Sequence, residues 1–286
     1  MAAIDPVVAR KTWRTLEPIH GFIYFAPEAA ESYAALGIEG TAGYFASRSA
    51  AMGRVGADVV IAAFYNFNPE LVRAAIPAVW GKASPEEVLA ARLEVADRVL
   101  RRVLGDAVTG PAMERAAALA RTAADAACTR LEGRPLFAGH AQLEWPRPPH
   151  LVLWHAQTLL REYRGDGHMA ALTTAGLTGI ESLVVHAATG EITAEALRTT
   201  RAWSEGEWAA GVDSVRSRGW LADGAGLRLS ESGAAHRQGI EDITDRAALG
   251  AYVALGEDGC AELRSLVRPF SQAVVAAGDF GSMARD

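Results

Sequence analysis

Cysteine is almost absent from this sequence, and so are the features of a membrane or secreted protein. The 286 residues include only Cys128 and Cys260, which lie far apart and show no CxxC spacing. A disulfide framework and a cysteine zinc site are therefore not expected, and a reducing cytoplasm is predicted. No stretch approaches the roughly 18 uncharged apolar residues of a membrane span, and the amino terminus has no apolar segment of signal length.

Sequence motifs of several enzyme classes are missing too. There is no glycine-rich phosphate loop between a strand and a helix, no GxSxG elbow and no HExxH motif. Because no residues show a metal-ligand spacing, we predict neither a metal nor another cofactor. Residue types that zinc or iron can use are nevertheless present. They are His20, His140, His150, His155, Asp166, His168 and His186.

The charge balance argues against one class of partner. The formal net charge is −6, and tight non-specific binding to a phosphate backbone relies on clustered Lys and Arg instead. Half of the residues are hydrophobic, and the length suffices for one large or two medium folded domains.

Most of the chain shows helical patterns with clear starts. Asn68 precedes a proline at a first helical position, and Ser84 opens a capping box. The proline-rich segment EWPRPPH (144–150) interrupts the pattern. It predicts a boundary between a helical, aromatic-rich domain over residues 1–143 and a second domain over residues 151–286.

The first predicted domain is rich in Phe and Tyr, eight of which fall between residues 24 and 67. An ordinary aromatic core explains them. A pocket for a flat or apolar ligand explains them equally well, since such pockets are mainly aromatic with a few polar groups. The candidate ligand-binding residues of such a pocket are His20, Tyr24, Tyr44, Arg48, Tyr65 and Asn66.

The second predicted domain has the element order of a winged helix. Capping boxes at Thr178 and Ser204 open two helices, with a short helix between them. The segment GWLADGAGLRLS (219–230) then predicts two short strands around an Asp-Gly turn, followed by a helix that starts at Ser230 or Ser232. We expect a mainly α fold with a helical N-terminal half and a C-terminal winged-helix domain that carries a short two-stranded wing.

The segment RSRGWLADGAGLRLSESGAAHRQGIEDITDRAA resembles the wing of MarR-like regulators, where an RGL turn precedes the hairpin and LTxxG follows it. Nearly the whole chain is similar to a family of actinobacterial proteins described only as helix-turn-helix or winged-helix proteins. Their recurring stretches are echoed by EPIHGFIYFAPE, GYFASRSAAMG, AFYNFNPELV, LLREYRGDGHMAAL and IEDITDRAA. Where that family is expected to read REHRGDGH, this chain has Tyr163 in place of the histidine. The resemblance implies a fold, and a fold does not determine a function.

The predicted recognition helix, residues 204–218, is poorly suited to DNA. It carries Glu205, Glu207 and Asp213 against Arg216 and Arg218. Its first turn, the part that would enter the major groove, is acidic and would repel phosphate. DNA is therefore a disfavoured partner, although acids at a helix start also have a purely structural explanation.

The stretch LLREYRGDGHMAAL (159–172) puts two glycines and several charges inside a helical pattern. Each glycine costs about 1 kcal/mol relative to alanine in a helix interior. One explanation is a helix that ends and restarts, with Asp166 capping the second part. The other is a close approach of the backbone to a ligand.

The ligand explanation predicts a site with catalytic potential. If the glycines bend the helix, Asp166 and His168 converge as a general acid/base pair, and Arg164 holds the substrate or stabilises an oxyanion. Arg161, Trp154 and His155 belong to the same segment and join the candidate ligand-binding residues.

Three functions remain open. The favoured one is a small-molecule-binding protein, an enzyme if the RGDGH residues perform acid/base chemistry, on a winged-helix scaffold that does not read DNA. The second is a ligand-responsive, MarR-like transcription regulator, which would bind DNA as a homodimer. The third is a drug-sequestering resistance protein that binds without turnover. The sequence leaves the choice between binding and catalysis undecided.

Overall fold

The computed structural model describes residues 4–224 and 226–278, and these residues are mainly helical, as predicted. No helix among them combines the length and the apolar composition that a membrane crossing requires. The α-helices of the described residues are α1 (Pro6–Gly21), α2 (Pro27–Ala35), α3 (Thr41–Ser49), α4 (Ala57–Phe64), α5 (Pro69–Ala75), α6 (Pro85–Leu104), α7 (Pro111–Ala127), α8 (Pro135–Ala141), α9 (Pro149–Thr174), α10 (Gly179–Ala187), α11 (Ala194–Thr200), α12 (Glu205–Ser217), α13 (Glu231–Ala248) and α14 (Gly256–Ala276).

Prolines and capping residues determine where many of these helices begin. Seven of them, α1, α2 and α5 to α9, start with proline, which fits the first turn because the N–H there needs no helical partner. The capping boxes at Ser84, Thr178 and Ser204 form as predicted. Ser230, and not Ser232, caps α13.

The RGDGH stretch does not break its helix. α9 runs continuously from Pro149 to Thr174, so the predicted end and restart at Asp166 is wrong. Asp166 does cap a helix, but a different one: its Oδ2 accepts a hydrogen bond of 2.9 Å from the N–H of Phe137, in the first turn of α8. A cap supplied from across the fold leaves no signal in the local sequence.

Helix packing explains one of the two glycines. α9 packs against α13, and a Cβ on Gly167 would lie 3.2 Å from the Cβ of Ala247. Glycine therefore lets these two helices approach closely. A Cβ on Gly165 would meet the Glu162 carboxylate at an ordinary 3.6 Å, so no such packing constraint applies there.

Buried apolar side chains form two clusters. The larger cluster runs from Ala9 to Tyr163 and is completed by residues 251–274. The smaller cluster runs from Ala171 to Ile240 and contains the packed helices α10, α11 and α12. The change from one cluster to the other falls inside α9, and the predicted domain boundary at residues 144–150 stays a prediction.

The predicted two-stranded wing is wrong, since the described residues contain no strand. Leu221 and Leu229 form one isolated antiparallel bridge, flanked by two backbone hydrogen bonds of 2.9 Å. Residue 225, near the tip of the predicted hairpin, lies outside the described residues. Because Ser230 already caps α13, the second extended segment ends too soon to pair further.

Candidate functional site

A cavity of about 530 Å³ lies between the N-terminal helices, α9 and α13, and is called the main cavity below. One wall is aromatic and consists of Trp13, Tyr44, Phe64 and Phe67. α9 forms another wall and includes all three predicted catalytic residues. The α9 residues that line the cavity are Arg161, Glu162, Arg164, Gly165, Asp166, His168 and Met169.

The nine predicted ligand-binding residues divide into two groups. Tyr44, Arg48, Asn66 and Arg161 line the main cavity. The other five are not among its lining residues. These are His20, Tyr24, Tyr65, Trp154 and His155.

His20 is a fully buried residue with a supporting role. The hydroxyl of Thr158 donates to the carbonyl of Trp154, so the 3.0 Å bond between Thr158 and His20 requires Nδ1 of His20 to donate. Nε2 then accepts from the hydroxyl of Tyr24 at 2.8 Å. Burial lowers the pKa of His20 well below its ordinary value, which keeps the ring neutral and holds Tyr24 in place.

A first group of ion pairs joins α3 to α9 at the main cavity. Glu162 lies 3.2 Å from Arg48 and 2.8 Å from Arg161, and Arg161 also pairs with Glu17 at 3.0 Å. Burial raises the pKa of Glu162, but the two guanidinium groups outweigh it and hold this pKa at about 2. Glu162 is therefore ionised at neutral pH and is fully engaged in orienting Arg48 and Arg161.

A second group of ion pairs joins α9 to α13. Arg164 donates to Asp245 at 2.7 Å and to Glu241 at 3.0 Å. Asp245 also accepts a 2.7 Å hydrogen bond from Arg10 of α1, and Arg237 pairs with Glu241. The predicted substrate-holding residue Arg164 is thus fixed by two carboxylates of the protein itself.

Asp166 and His168, the predicted acid/base pair, are hydrogen-bonded to different helices and not to each other. Asp166 caps α8, and burial raises its pKa to about 6 in spite of the N–H of Phe137. His168 Nδ1 lies 2.9 Å from the hydroxyl of Thr244 on α13. Burial lowers the pKa of His168 to about 4, against the opposing effect of Glu241. At neutral pH the site therefore holds a carboxylate that serves as a cap and a neutral imidazole.

Sequence reasoning missed several residues of the main cavity. Arg201, which follows α11, lies with its guanidinium carbon 5.1 Å from the ring centre of Phe67, and its buried Nε has no hydrogen-bond partner among the described residues. Of the missed residues, only Arg237 and Glu241 carried a local signal, their i, i+4 spacing. The other charged residues missed at the cavity are Arg10, Arg14 and Glu191.

His140 of α8 gives the chain a pH-dependent stability. Neither ring nitrogen has a hydrogen-bond partner within the described part of the chain, and burial, followed by the charge of Arg92, lowers the pKa of His140 from 6.5 to about 3. As the pH falls below 6.5, the unfolded chain takes up this proton first, so the folded state loses stability as pH approaches 3. Between pH 8 and pH 5, His140 alone lowers the free energy of unfolding by about 2 kcal/mol.

Urea unfolding of His140→Leu at pH 8 and pH 5 measures this contribution. We expect the variant to lose about 2 kcal/mol less between the two pH values than the wild type. The exposed His236 offers the control: His236→Gln should retain the wild-type difference. Equal losses in His140→Leu and the wild type would contradict the assignment.

The arginines of α12 and its C-cap are already paired within the protein. Arg216 contacts Asp213 at 3.1 Å, and Arg218 contacts Glu181 of α10 at 3.2 Å. Glu207 belongs to the capping box at the start of the helix. α12 therefore presents acids in its first turn and arginines whose charges are compensated.

The comparisons with known proteins identify a family but no individual relative. A family model described as a helix-turn-helix family matches residues 9–281. The chain therefore belongs to this helix-turn-helix family. No curated protein and no solved structure gave a significant match. Among the described residues, no three His, Cys, Asp or Glu side chains are grouped as a metal site would require.

Proposed function

We propose that this helix-turn-helix protein binds a small molecule in the main cavity, and that the molecule has an anionic group and a flat apolar part. The observation that carries the proposal is Arg201. Its guanidinium faces the aromatic wall beside Phe67. Its Nη1 donates to the hydroxyl of Thr200 at 2.7 Å, its buried Nε has no hydrogen-bond partner, and no carboxylate of the described residues forms an ion pair with it. An arginine in this setting is suited to hold a carboxylate or phosphate while a ring packs on the aromatic wall.

The charges around the cavity support an anionic ligand. Seven arginines and four carboxylates line it. Arg48 adds a buried Nε without a hydrogen-bond partner, and its guanidinium carbon lies 4.2 Å from the ring centre of Phe64. Arg10, Arg161 and Arg164 are also paired with carboxylates behind the lining. The unpartnered Nε atoms of Arg48 and Arg201, beside aromatic rings, therefore favour a flat anion over a cation or a neutral sugar.

Binding is favoured over acid/base catalysis by the state of the RGDGH residues. Asp166 is engaged with the backbone of α8, and Arg164 is engaged with Glu241 and Asp245. A general base must reach the proton that it removes, and these contacts leave His168 as the remaining candidate. Turnover therefore enters the test below as a measured outcome.

Calorimetric titration with 2-naphthoate, and with the neutral analogue 2-naphthamide for comparison, tests the proposal. We expect naphthoate to bind and Arg201→Gln to weaken its binding by about tenfold to a hundredfold, because a charge-assisted hydrogen bond is lost. Arg73→Gln is the matched control, since Arg73 is exposed and pairs with Asp58 on the surface. Native mass spectrometry of protein from its own host identifies the natural ligand.

Equal binding of the acid and the amide, or unchanged binding in Arg201→Gln, would contradict the proposal. Chemical change of the host-derived ligand on incubation would assign an enzyme. Tight binding without change would favour the sequestering protein.

A second candidate function, a ligand-responsive regulator, is favoured by the position of the cavity. Its lining includes His186 of α10 and Arg201. The turn around Arg201 is tied to the N-terminal half by bonds from Asn68 N–H to Arg201 O (3.0 Å) and from the Trp203 indole to Asn66 O (2.9 Å). A ligand there would contact residues of the N-terminal helices together with His186 and Arg201 of the C-terminal part. The paired arginines of α12 argue against this function, and fluorescence anisotropy with host DNA, with and without the bound ligand, decides it.

A further inference from the structure

A second cavity, of about 220 Å³, lies between α6, α9 and residues 143–146. Its lining is largely apolar and includes Leu89 and Leu143. Four polar side chains also line it: Arg92, Trp154, His155 and, at its exposed edge, Glu144. None of these four lines the main cavity, so the second cavity is a separate place in the fold.

Arg92 is the unusual member of this group. It is only 2% exposed, and no described carboxylate forms an ion pair or hydrogen bond with it. Its Nε and Nη2 have no hydrogen-bond partner, and the contact found for its guanidinium is the ring of Trp154 at 4.8 Å. A buried cation is stable only when its charge is compensated. Glu162 acts on Arg92 electrostatically but forms no hydrogen bond with it, so Arg92 retains the capacity to bind a further anion directly.

The chain itself shows what these two nitrogens can hold. Nε and Nη2 of Arg115 donate hydrogen bonds of 2.7 and 2.8 Å to the two carboxylate oxygens of Glu262. This side-on arrangement is the preferred bidentate geometry of a guanidinium and a carboxylate. Arg92 has the same edge of its guanidinium unpartnered, but inside the protein.

Two neighbouring residues strengthen this interpretation. The indole Nε1 of Trp154 and the Nε2 of His155 are buried, and neither has a hydrogen-bond partner among residues 4–224 and 226–278. Burial, followed by the charge of Arg92, lowers the pKa of His155 to about 4, so its ring is neutral and can donate one N–H. Three side chains with unused hydrogen-bonding capacity therefore line one small cavity.

We propose that the second cavity binds a small monocarboxylate, whose carboxylate pairs with Arg92 and whose short apolar chain packs against Leu89 and Leu143. The volume limits the ligand to a few carbon atoms, and the leucine walls favour such a chain over a bare inorganic anion. Leu93 lines the cavity and is 36% exposed, which gives the ligand an apolar way in. This site is independent of the main cavity.

Calorimetric titration with butyrate, butyramide and chloride tests the proposal. We expect butyrate to bind and butyramide not to bind. The Arg92→Met substitution should lower the affinity for butyrate by about tenfold or more. Arg115→Met is the matched control, because it removes an exposed guanidinium that pairs with Glu262 outside both cavities. This variant should bind butyrate with wild-type affinity. Protein already saturated with 2-naphthoate should bind butyrate with the same affinity, which separates this site from the main cavity.

A second variant covers the case in which Arg92→Met fails to fold. Ala90 lines the cavity from an exposed position on α6, so Ala90→Trp blocks the cavity and keeps Arg92. Loss of butyrate binding in Ala90→Trp supports the proposal. Wild-type affinity in Ala90→Trp or in folded Arg92→Met, equal binding of butyramide, or displacement of butyrate by equimolar chloride would each overturn it.

Discussion

Replacing Asp245 with asparagine is expected to lower the free energy of unfolding by about 3–5 kcal/mol. The carboxylate is 1% exposed and accepts hydrogen bonds from Arg10 and Arg164, each at 2.7 Å. Asparagine has nearly the same shape, but it carries no charge and offers an NH2 group that cannot accept. Two guanidinium groups would then remain at a buried site with their shared counter-charge removed. Urea denaturation followed by circular dichroism measures the loss.

Asp242 provides a matched control for this substitution. It lies on the same helix, three residues earlier, but its side chain is 48% exposed and its contact with Arg10 is 3.9 Å long. Asp242→Asn should change the free energy of unfolding by less than about 0.5 kcal/mol, as weak surface pairs do. Similar losses in both variants would show that burial of the Asp245 ion pairs is not what stabilises the junction of α1, α9 and α13.

Gly179→Ala should destabilise the protein by about 3 kcal/mol, the upper part of the usual range for overpacking. A Cβ at this position would lie 2.1 Å from the carbonyl oxygen of Tyr65, and a backbone atom cannot move aside as a side-chain end can. Tyr65 already has a positive φ of 61°. Its hydroxyl donates to the carbonyl of Leu177, so the turn is held from both sides. The start of α10 would have to shift instead.

Gly206 is the natural comparison, because it also lies in a first helical turn behind a capping box. A Cβ there would meet nothing within 4 Å. Gly206→Ala should therefore stabilise the protein by about 0.4–1 kcal/mol, through the reduced entropy of the unfolded chain. Thermal unfolding of the two variants side by side gives both values. A Gly179→Ala protein as stable as Gly206→Ala would mean that α10 is not packed tightly against the Tyr65 turn.

Local sequence signals predicted the helix starts well. The boxes at Ser84, Thr178 and Ser204 form because all of their hydrogen-bonding groups lie within four consecutive residues. Asn68 caps α5 for the same reason. Such signals depend little on the rest of the fold.

The errors occurred where distant parts of the chain determine the structure. The glycines of α9 suggested a break, but Gly167 instead accommodates Ala247, eighty residues further along the chain. Asp166 caps α8, and nothing in the sequence around residue 166 indicates this partner. The predicted wing failed because the start of α13 shortened the hairpin.

The sequence predicted part of the candidate site: Tyr44, Arg48 and Asn66 of the N-terminal half line the main cavity, and so do four predicted residues of α9. Arg161, Arg164, Asp166 and His168 do line one cavity, because helical spacing places them on neighbouring faces. Arg201 reaches the same cavity from the end of α11, and Arg92 is buried beside the second cavity. Whether an arginine pairs with a carboxylate distant in the sequence depends on the folded structure. The spacing of residues along the chain does not reveal it.

The continuity of α9 has a consequence for how the protein opens. This uninterrupted helix of 26 residues contributes side chains to both apolar clusters. Backbone amides near the middle of α9 exchange with solvent only when the helix unfolds there, and we expect this unfolding to expose both clusters. The slowest-exchanging amides of the molecule should therefore lie in α9, and loss of either cluster propagates to the other. We therefore expect helices α10 to α13 not to unfold separately from the N-terminal helices, and the described residues to unfold in one cooperative transition.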